Sequence, residues 1–267
     1  MNAPLRATAV TSGPALAGPV LVVSGLQKSF DARHVLSGID LQLHAGVATA
    51  LIGANGSGKS TLMKCLIRLV EPSAGRITLL GRDVTAMSPR ELRGLRAGVG
   101  VVWQKHNLVP RLSALSNVVH GVQARMSGPG GWYQALAPQT VRDEALDCLA
   151  RVGLADRATE RVDSLSGGQQ QRVAIARMLM QRPGLILADE PDASLDPQSG
   201  EDVMRLLSDL ARQDGLALIV ISHRMEHTLA FSDHILGLQA GRIVLDVPTA
   251  GADAMILRRF FEEAGTK

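Results

Sequence analysis

The sequence predicts an α/β protein: a parallel sheet covered on both faces, with a helical segment set into it. Three observations lead there. Apolar runs at residues 47–52, interrupted only by Thr49, and at 185–188 and 216–221 have strand length and the near-continuous hydrophobicity of strands buried on both sides. Gly53-Ala54-Asn55-Gly56-Ser57-Gly58-Lys59-Ser60 fits G-x-x-x-x-G-K-[ST], a phosphate loop, between one of those runs and a stretch of helical spacing at residues 61–68. From residue 105 to about 163 the strand signal fades and helical periodicity takes over.

Taken in order, residues 1–19 are rich in Ala, Pro, Gly, Ser and Thr, carry one Arg, and lack a continuous apolar core. They read as a disordered leader rather than a signal peptide. Leu21-Val22-Val23 and Leu41-Gln42-Leu43 read as strands, the second alternating as a half-exposed strand does. Phe30 lies between them near a turn, where a core-filling or hairpin-packing role is open to it.

The phosphate loop is spelled as its chemistry requires. Gly53, Gly56 and Gly58 keep side chains away from a polyphosphate and permit a turn that other residues would strain. The helix that follows aims its unpaired N–H groups and positive dipole end at the anion. Lys59 reaches the outer phosphates, and the Ser60 hydroxyl is placed to ligate Mg²⁺.

Residues 75–81 predict a strand closed by glycine turns, and Ser88-Pro89 starts a helix with Ser88 as N-cap. A short strand at 99–103 delivers Gln104, whose amide oxygen could ligate Mg²⁺ or hold an attacking water. The helical insertion follows, with Leu115, Val118, Val119 and Val122 on one predicted face and Leu146, Leu149, Ala150 and Gly153 on another. Between them the stretch 127–133 is a loop by composition; its Trp132 and Tyr133 form a contact patch or pack over the loop base.

Leu165-Ser166-Gly167-Gly168-Gln169 opens the next helix, expected to end near Gln181, and makes a second anion-ready N-terminus. One phosphate needs one such cradle, so the second is read as serving a nucleotide held by another copy. The strand at 185–188 ends in Asp189-Glu190, at the edge where open α/β sheets place ligands. Asp189 is the candidate for Mg²⁺, and Glu190 for the general base that polarises water. Asp196 can cap the following helix with Pro197 at its first position, so capping alone accounts for it; Val203, Leu206, Leu207 and Leu210 share a face of that helix. The strand at 216–221 hands over to Ser222-His223, and His223 is placed to orient Glu190 and the water or to contact a terminal phosphate. His227 and His234 read as surface or packing residues. Residues 235–247 predict a hairpin around Gly241, and 255–263 a helix within a tail at 248–267.

Composition narrows the classes. The 267 residues are 46% hydrophobic, enough for a sizeable core, and the net charge is only +3. No Lys/Arg block is long enough to track a nucleic-acid backbone. The two cysteines, Cys65 and Cys148, exclude a disulfide framework and suit a reducing compartment. No apolar run approaches the ~20 residues that cross a bilayer.

In this order, the phosphate loop, Gln104, LSGGQ, Asp189-Glu190, Ser194-Leu195-Asp196 and His223 resemble the ATP-binding subunits of ABC transporters over residues 20–247. That resemblance implies a P-loop NTPase (RecA-like) core with an antiparallel β subdomain, and an inserted α-helical subdomain at about 105–182. It implies ATP held at Gly53, Asn55, Gly56, Ser57, Gly58, Lys59, Ser60 and Thr61, with Phe30 stacked on adenine and Mg²⁺ at Ser60, Gln104 and Asp189. It further implies a head-to-tail dimer in which Ser166, Gly167, Gly168, Gln169 and Asp196 of one copy close over ATP on the other. Permease subunits would dock on the region after Gln104, at the cytoplasmic face of the inner membrane.

The stretches Asn107-Leu108-Val109-Pro110-Arg111-Leu112-Ser113 and Ala193-Ser194-Leu195-Asp196-Pro197 resemble the phosphonate-import ATPases more narrowly. This implies import of phosphonate or a related phosphorus oxyanion, with a periplasmic binding protein in the same system. Asp192 departs from that pattern, which tends to an apolar residue there; the leader is longer and the tail matches poorly. An exporter or lipoprotein-release ATPase would share the engine. A soluble ABC ATPase acting on DNA or ribosomes would bring heptads, a Cys/His cluster or a second phosphate loop, and the sequence has none. A small-molecule kinase has no use for Ser166-Gly167-Gly168-Gln169.

Overall fold

The computed structural model describes residues 18–104, 107–126 and 128–252, with Met255, Leu257 and Phe260. Nearly all of the expected leader, Lys105, His106, Ser127 and most of the expected terminal helix lie outside these; the three described residues of that helix are helical.

The chain opens with a hairpin of β1 (Leu21–Phe30) and β2 (Arg33–Leu43), then passes through β3 (Ala48–Ile52) and the phosphate loop into α1 (Lys59–Leu66). It returns through β4 (Ala74–Leu79) and β5 (Arg82–Asp83), and α2 (Pro89–Ala97) leads to β6 (Val99–Trp103). Helices α3 (Ala114–Val119), α4 (Gln139–Arg151) and α5 (Gly167–Leu179) all lie between β6 and β7 (Leu185–Asp189). After α6 (Pro197–Asp214), β8 (Ala217–Ile221) and α7 (Met225–Phe231), the hairpin of β9 (His234–Gln239) and β10 (Arg242–Pro248) follows.

One sheet runs β2-β1-β4-β5 and is antiparallel throughout. The other runs β10-β9-β3-β8-β7-β6, parallel except for the terminal β9–β10 pair. Strand alternation divides the core between its two faces. Leu185, Leu187, Ile219 and Ile221 pack with β1, β2, β4, α1 and α2, while Ile186, Ala188, Leu218 and Val220 pack with α3 to α6. Burial on both faces explains the apolar runs.

The strands predicted from residue 47 onward and the last hairpin stand within about two residues of their expected places, whereas β1 and β2 extend the three-residue readings at 21–23 and 41–43 by seven and eight residues into one long hairpin. Ser88 caps α2 with Glu91 in a reciprocal capping box, and Asp196 caps α6 above Pro197. The face of α4 needs correction. Its buried residues are Val141, Ala145, Cys148 and Leu149, whereas Leu146 and Ala150 are exposed. Leu149 fits two phases of the helical repeat, and the sequence reading took the wrong one. Leu115, Val118, Val119 and Val122 are all buried as expected.

Candidate functional site

Strand register assembles the site. Trp103, Asp189 and Ile221 stand abreast on β6, β7 and β8, and Ile221 pairs with Leu51 on β3. Gln104, Glu190, Ser222-His223 and Gly53 therefore leave the sheet along one edge, the carboxyl ends of parallel strands.

The phosphate loop is a cradle without room for side chains at two points. Gly53 has φ +155° and Gly58 φ +109°. A Cβ on Gly53 would lie 2.3 Å from the Leu238 carbonyl oxygen, and one on Gly58 3.0 Å from that of Val35. No side chain caps the N-terminus of α1, so its first N–H groups are left for an anion. Lys59 is buried, and Nζ donates to the carbonyls of Gly53 at 2.8 Å and Ala54 at 3.0 Å. Burial pushes its pKa down, against the pull of Glu190 and Asp189. A cation so placed gains most from a bound anion, and the same loop carries the buried Ser57 hydroxyl, which has no hydrogen-bond partner among the described residues.

Ser60 Oγ lies 3.3 Å from Asp189 Oδ1. Burial raises the Asp189 pKa, the Ser60 hydrogen bond lowers it, and the charge of Glu190 raises it. Hydroxyl, carboxylate and the nearby Gln104 amide are hard oxygen donors of the kind Mg²⁺ takes alongside substrate phosphates. Among the described residues no cluster of three or more His, Cys, Asp or Glu offers a different metal site. The residues present thus fit both a polyphosphate and a Mg²⁺ ion.

His223 Nε2 and Glu190 Oε1 are 2.6 Å apart. A carboxylate held by an imidazole, next to a phosphate cradle and partly open to solvent, can take a proton from water. Gln104 is exposed and stands level with Glu190 by register.

The Ser166 corner makes no hydrogen bond to this constellation among the described residues. Its polar contacts are local: Ser166 Oγ accepts from Gln169 N at 3.3 Å, and Ser166 N donates to Gln169 Oε1 at 2.9 Å. This capping box was legible as S-x-x-Q, and the sequence reading passed over it. Ser166 and Gly167 are exposed, while Gly168 is buried against α6. Asp196 is exposed beside them; Oδ1 accepts from Ser199 N at 3.0 Å, and its pKa is held down by the Ser199 hydroxyl first and by that backbone contact second.

Phe30 is 46% exposed at the tip of the β1–β2 hairpin, with Lys28 Nζ 4.5 Å from its ring centroid. It does not fill the core. Trp132 and Tyr133 are likewise exposed, at 61% and 64%, and do not pack over the loop base. They rim a groove of about 1180 Å³ that also takes in Leu69, Trp103, Val109 and Leu112. Asn117, which the sequence reading missed, fixes one wall: Oδ1 accepts from Val109 N at 2.8 Å and Nδ2 donates to Val109 O at 3.1 Å. His227 takes the packing alternative: it is buried, and Nδ1 meets Asp192 Oδ2 at 2.7 Å, a partner the sequence did not suggest.

Fold and site define a phosphate-loop nucleotide-binding cassette with a second, glycine-rich helix N-terminus. The chain belongs to the ABC transporter family, whose profile matches residues 36–193. Within that family it is similar to a phosphonates import ATP-binding protein PhnC 2 of Synechococcus sp., 41% identical over 91% of each chain. A phosphonates import ATP-binding protein PhnC of Nocardia farcinica is 45% identical over 87% of this chain and 86% of its own. Among solved structures, a dimeric post-hydrolysis state of an ATP-binding cassette bound to ADP and Pi superposes with a TM-score of 0.75. It is 31% identical and covers 87% of this chain and 100% of its own.

Proposed function

We propose that this chain is the ATP-hydrolysing subunit of an importer for phosphonate or a related phosphorus oxyanion. The observation that carries the hydrolytic part is the Glu190–His223 contact of 2.6 Å at the sheet edge shared with the phosphate loop. The similarity to phosphonates import ATP-binding proteins supports the cargo.

In this reading the loop from Gly53 to Thr61 holds the ATP phosphates, with Lys59 countering their charge. Ser60, Gln104 and Asp189 hold Mg²⁺, which when bound supplies charge neutralisation at the phosphates. Glu190 takes the proton of the attacking water, and His223 keeps the carboxylate aimed. Phosphoryl transfer is catalysed mainly by position and charge, so a site with few reactive groups suffices. Phe30, half-exposed on its hairpin, is available to stack on adenine.

The Ser166–Gln169 corner and Asp196 serve the nucleotide of a second copy, since the hydrogen bonds of Ser166, Gln169 and Asp196 described within the chain stay at their own helix ends. The groove rimmed by Val109, Leu112, Trp132 and Tyr133 seats the permease subunits, beginning at Trp103, next to Gln104. No described helix is long and apolar enough to cross a membrane. The chain accordingly works at the cytoplasmic face through those subunits, with a periplasmic binding protein delivering cargo.

Two measurements test this. Glu190→Gln should lower ATP turnover by about a hundredfold or more while calorimetry still detects ATP binding. Turnover near wild type would refute the role of Glu190. Deleting the gene should abolish growth on an alkylphosphonate as sole phosphorus source and spare growth on orthophosphate; unimpaired growth on the phosphonate would refute the cargo.

A further inference from the structure

The loop after β7 and the segment after β8 are joined twice. The first link is Glu190–His223. The second, between Asp192 Oδ2 and His227 Nδ1 at 2.7 Å, is almost fully enclosed: Asp192 is 5% exposed and His227 7%. Both partners lie shortly downstream of the first pair on their own segments, so the two contacts are rungs of one ladder.

Each end of the second rung is anchored. The Asp192 carbonyl accepts from Leu195 N at 3.2 Å, and its Cβ packs at the first turn of α6, 3.3 Å from where a Cβ on Gly200 would stand. The same turn carries Asp196. The His227 ring is held edge-on by Phe231, with centroids 5.8 Å apart, and Arg205 of α6 lies over the Phe231 ring. Glu190 itself has φ +51°, a left-handed conformation uncommon for a residue with a long side chain. Such a residue keeps its place only where its surroundings fix it.

Cohesion does not call for this pair. Two apolar side chains of similar size would fill the space without desolvating polar groups, and Asp192 is where the chain departs from the apolar residue of the pattern it resembles. What a hydrogen bond adds over apolar contact is direction. We propose that Asp192 and His227 are a positioning pair that sets the loop carrying Glu190 and Asp196 against the segment carrying His223. This role rests on the hydrolytic reading of Glu190.

Steady-state ATPase kinetics on the full chain, with Tm measured beside them, test the proposal. Asp192→Ala and His227→Leu should each lower kcat about tenfold and leave KM for ATP within about twofold. His227→Asn, whose amide nitrogen can stand where Nδ1 stands, should keep most of the rate. Asp192→Leu combined with His227→Leu should restore Tm yet retain the loss of kcat. Single variants with wild-type kcat, or a double variant that regains both Tm and kcat, would show a packing role only and overturn the proposal. Wild-type chain without any ATPase activity would instead remove the hydrolytic reading, and the pair's role with it.

Discussion

Asp189 shows how the site is made at the expense of stability. Burial raises its pKa, so the folded chain binds its proton more tightly than the unfolded chain does. By linkage, stability then falls as pH rises from the ordinary carboxylate range through the raised folded value, and the penalty is fully present above it. Asp189→Asn keeps an acceptor for Ser60 and removes the charge. It should raise the Tm of the nucleotide-free chain at neutral pH by about 2–4 °C, a gain that fades on acidification below the carboxylate range. A wild-type Tm at neutral pH equal to the variant's would contradict this reading. Burial pushes the thiols of Cys65 and Cys148 up to about 11 and about 12, which fits their place as inert core residues.

At the level of elements, the α5 N-terminus is held by contact with α6. A Cβ on Gly168 would lie 2.9 Å from Ser199 Cβ and Oγ, so no larger residue fits without separating the two helix starts. Gly168→Val should therefore cut ATP turnover about tenfold or more while leaving ATP affinity at the phosphate loop unchanged by calorimetry. Full turnover in that variant would remove the Ser166 corner from the mechanism. Elements with a local signature were legible in the sequence: the phosphate loop, the Ser88 and Asp196 caps, and strands buried on both faces. The pairing of Asp192 with His227 was not, because it joins the loop after β7 to α7, 35 residues on in the chain, through the order of β7 and β8. The face of α4 was misread because its exposed side carries Leu146, which hydrophobicity alone cannot tell from a buried leucine.

For the molecule as a whole, the sheet order explains why so much of the site was readable. Parallel strands abreast put every strand-end motif on one edge, so Gln104, Asp189-Glu190, His223 and the phosphate loop converge without any long-range guess. The Ser166 corner is the exception, a helix N-terminus with no hydrogen bond to that edge among the described residues. In the proposed arrangement a second copy resolves it, each chain completing the pocket of the other. Sedimentation velocity of the Glu190→Gln chain with and without MgATP tests that arrangement most directly. The account predicts monomer without nucleotide and twice the mass with it; a mass that stays monomeric at saturating ATP would contradict it.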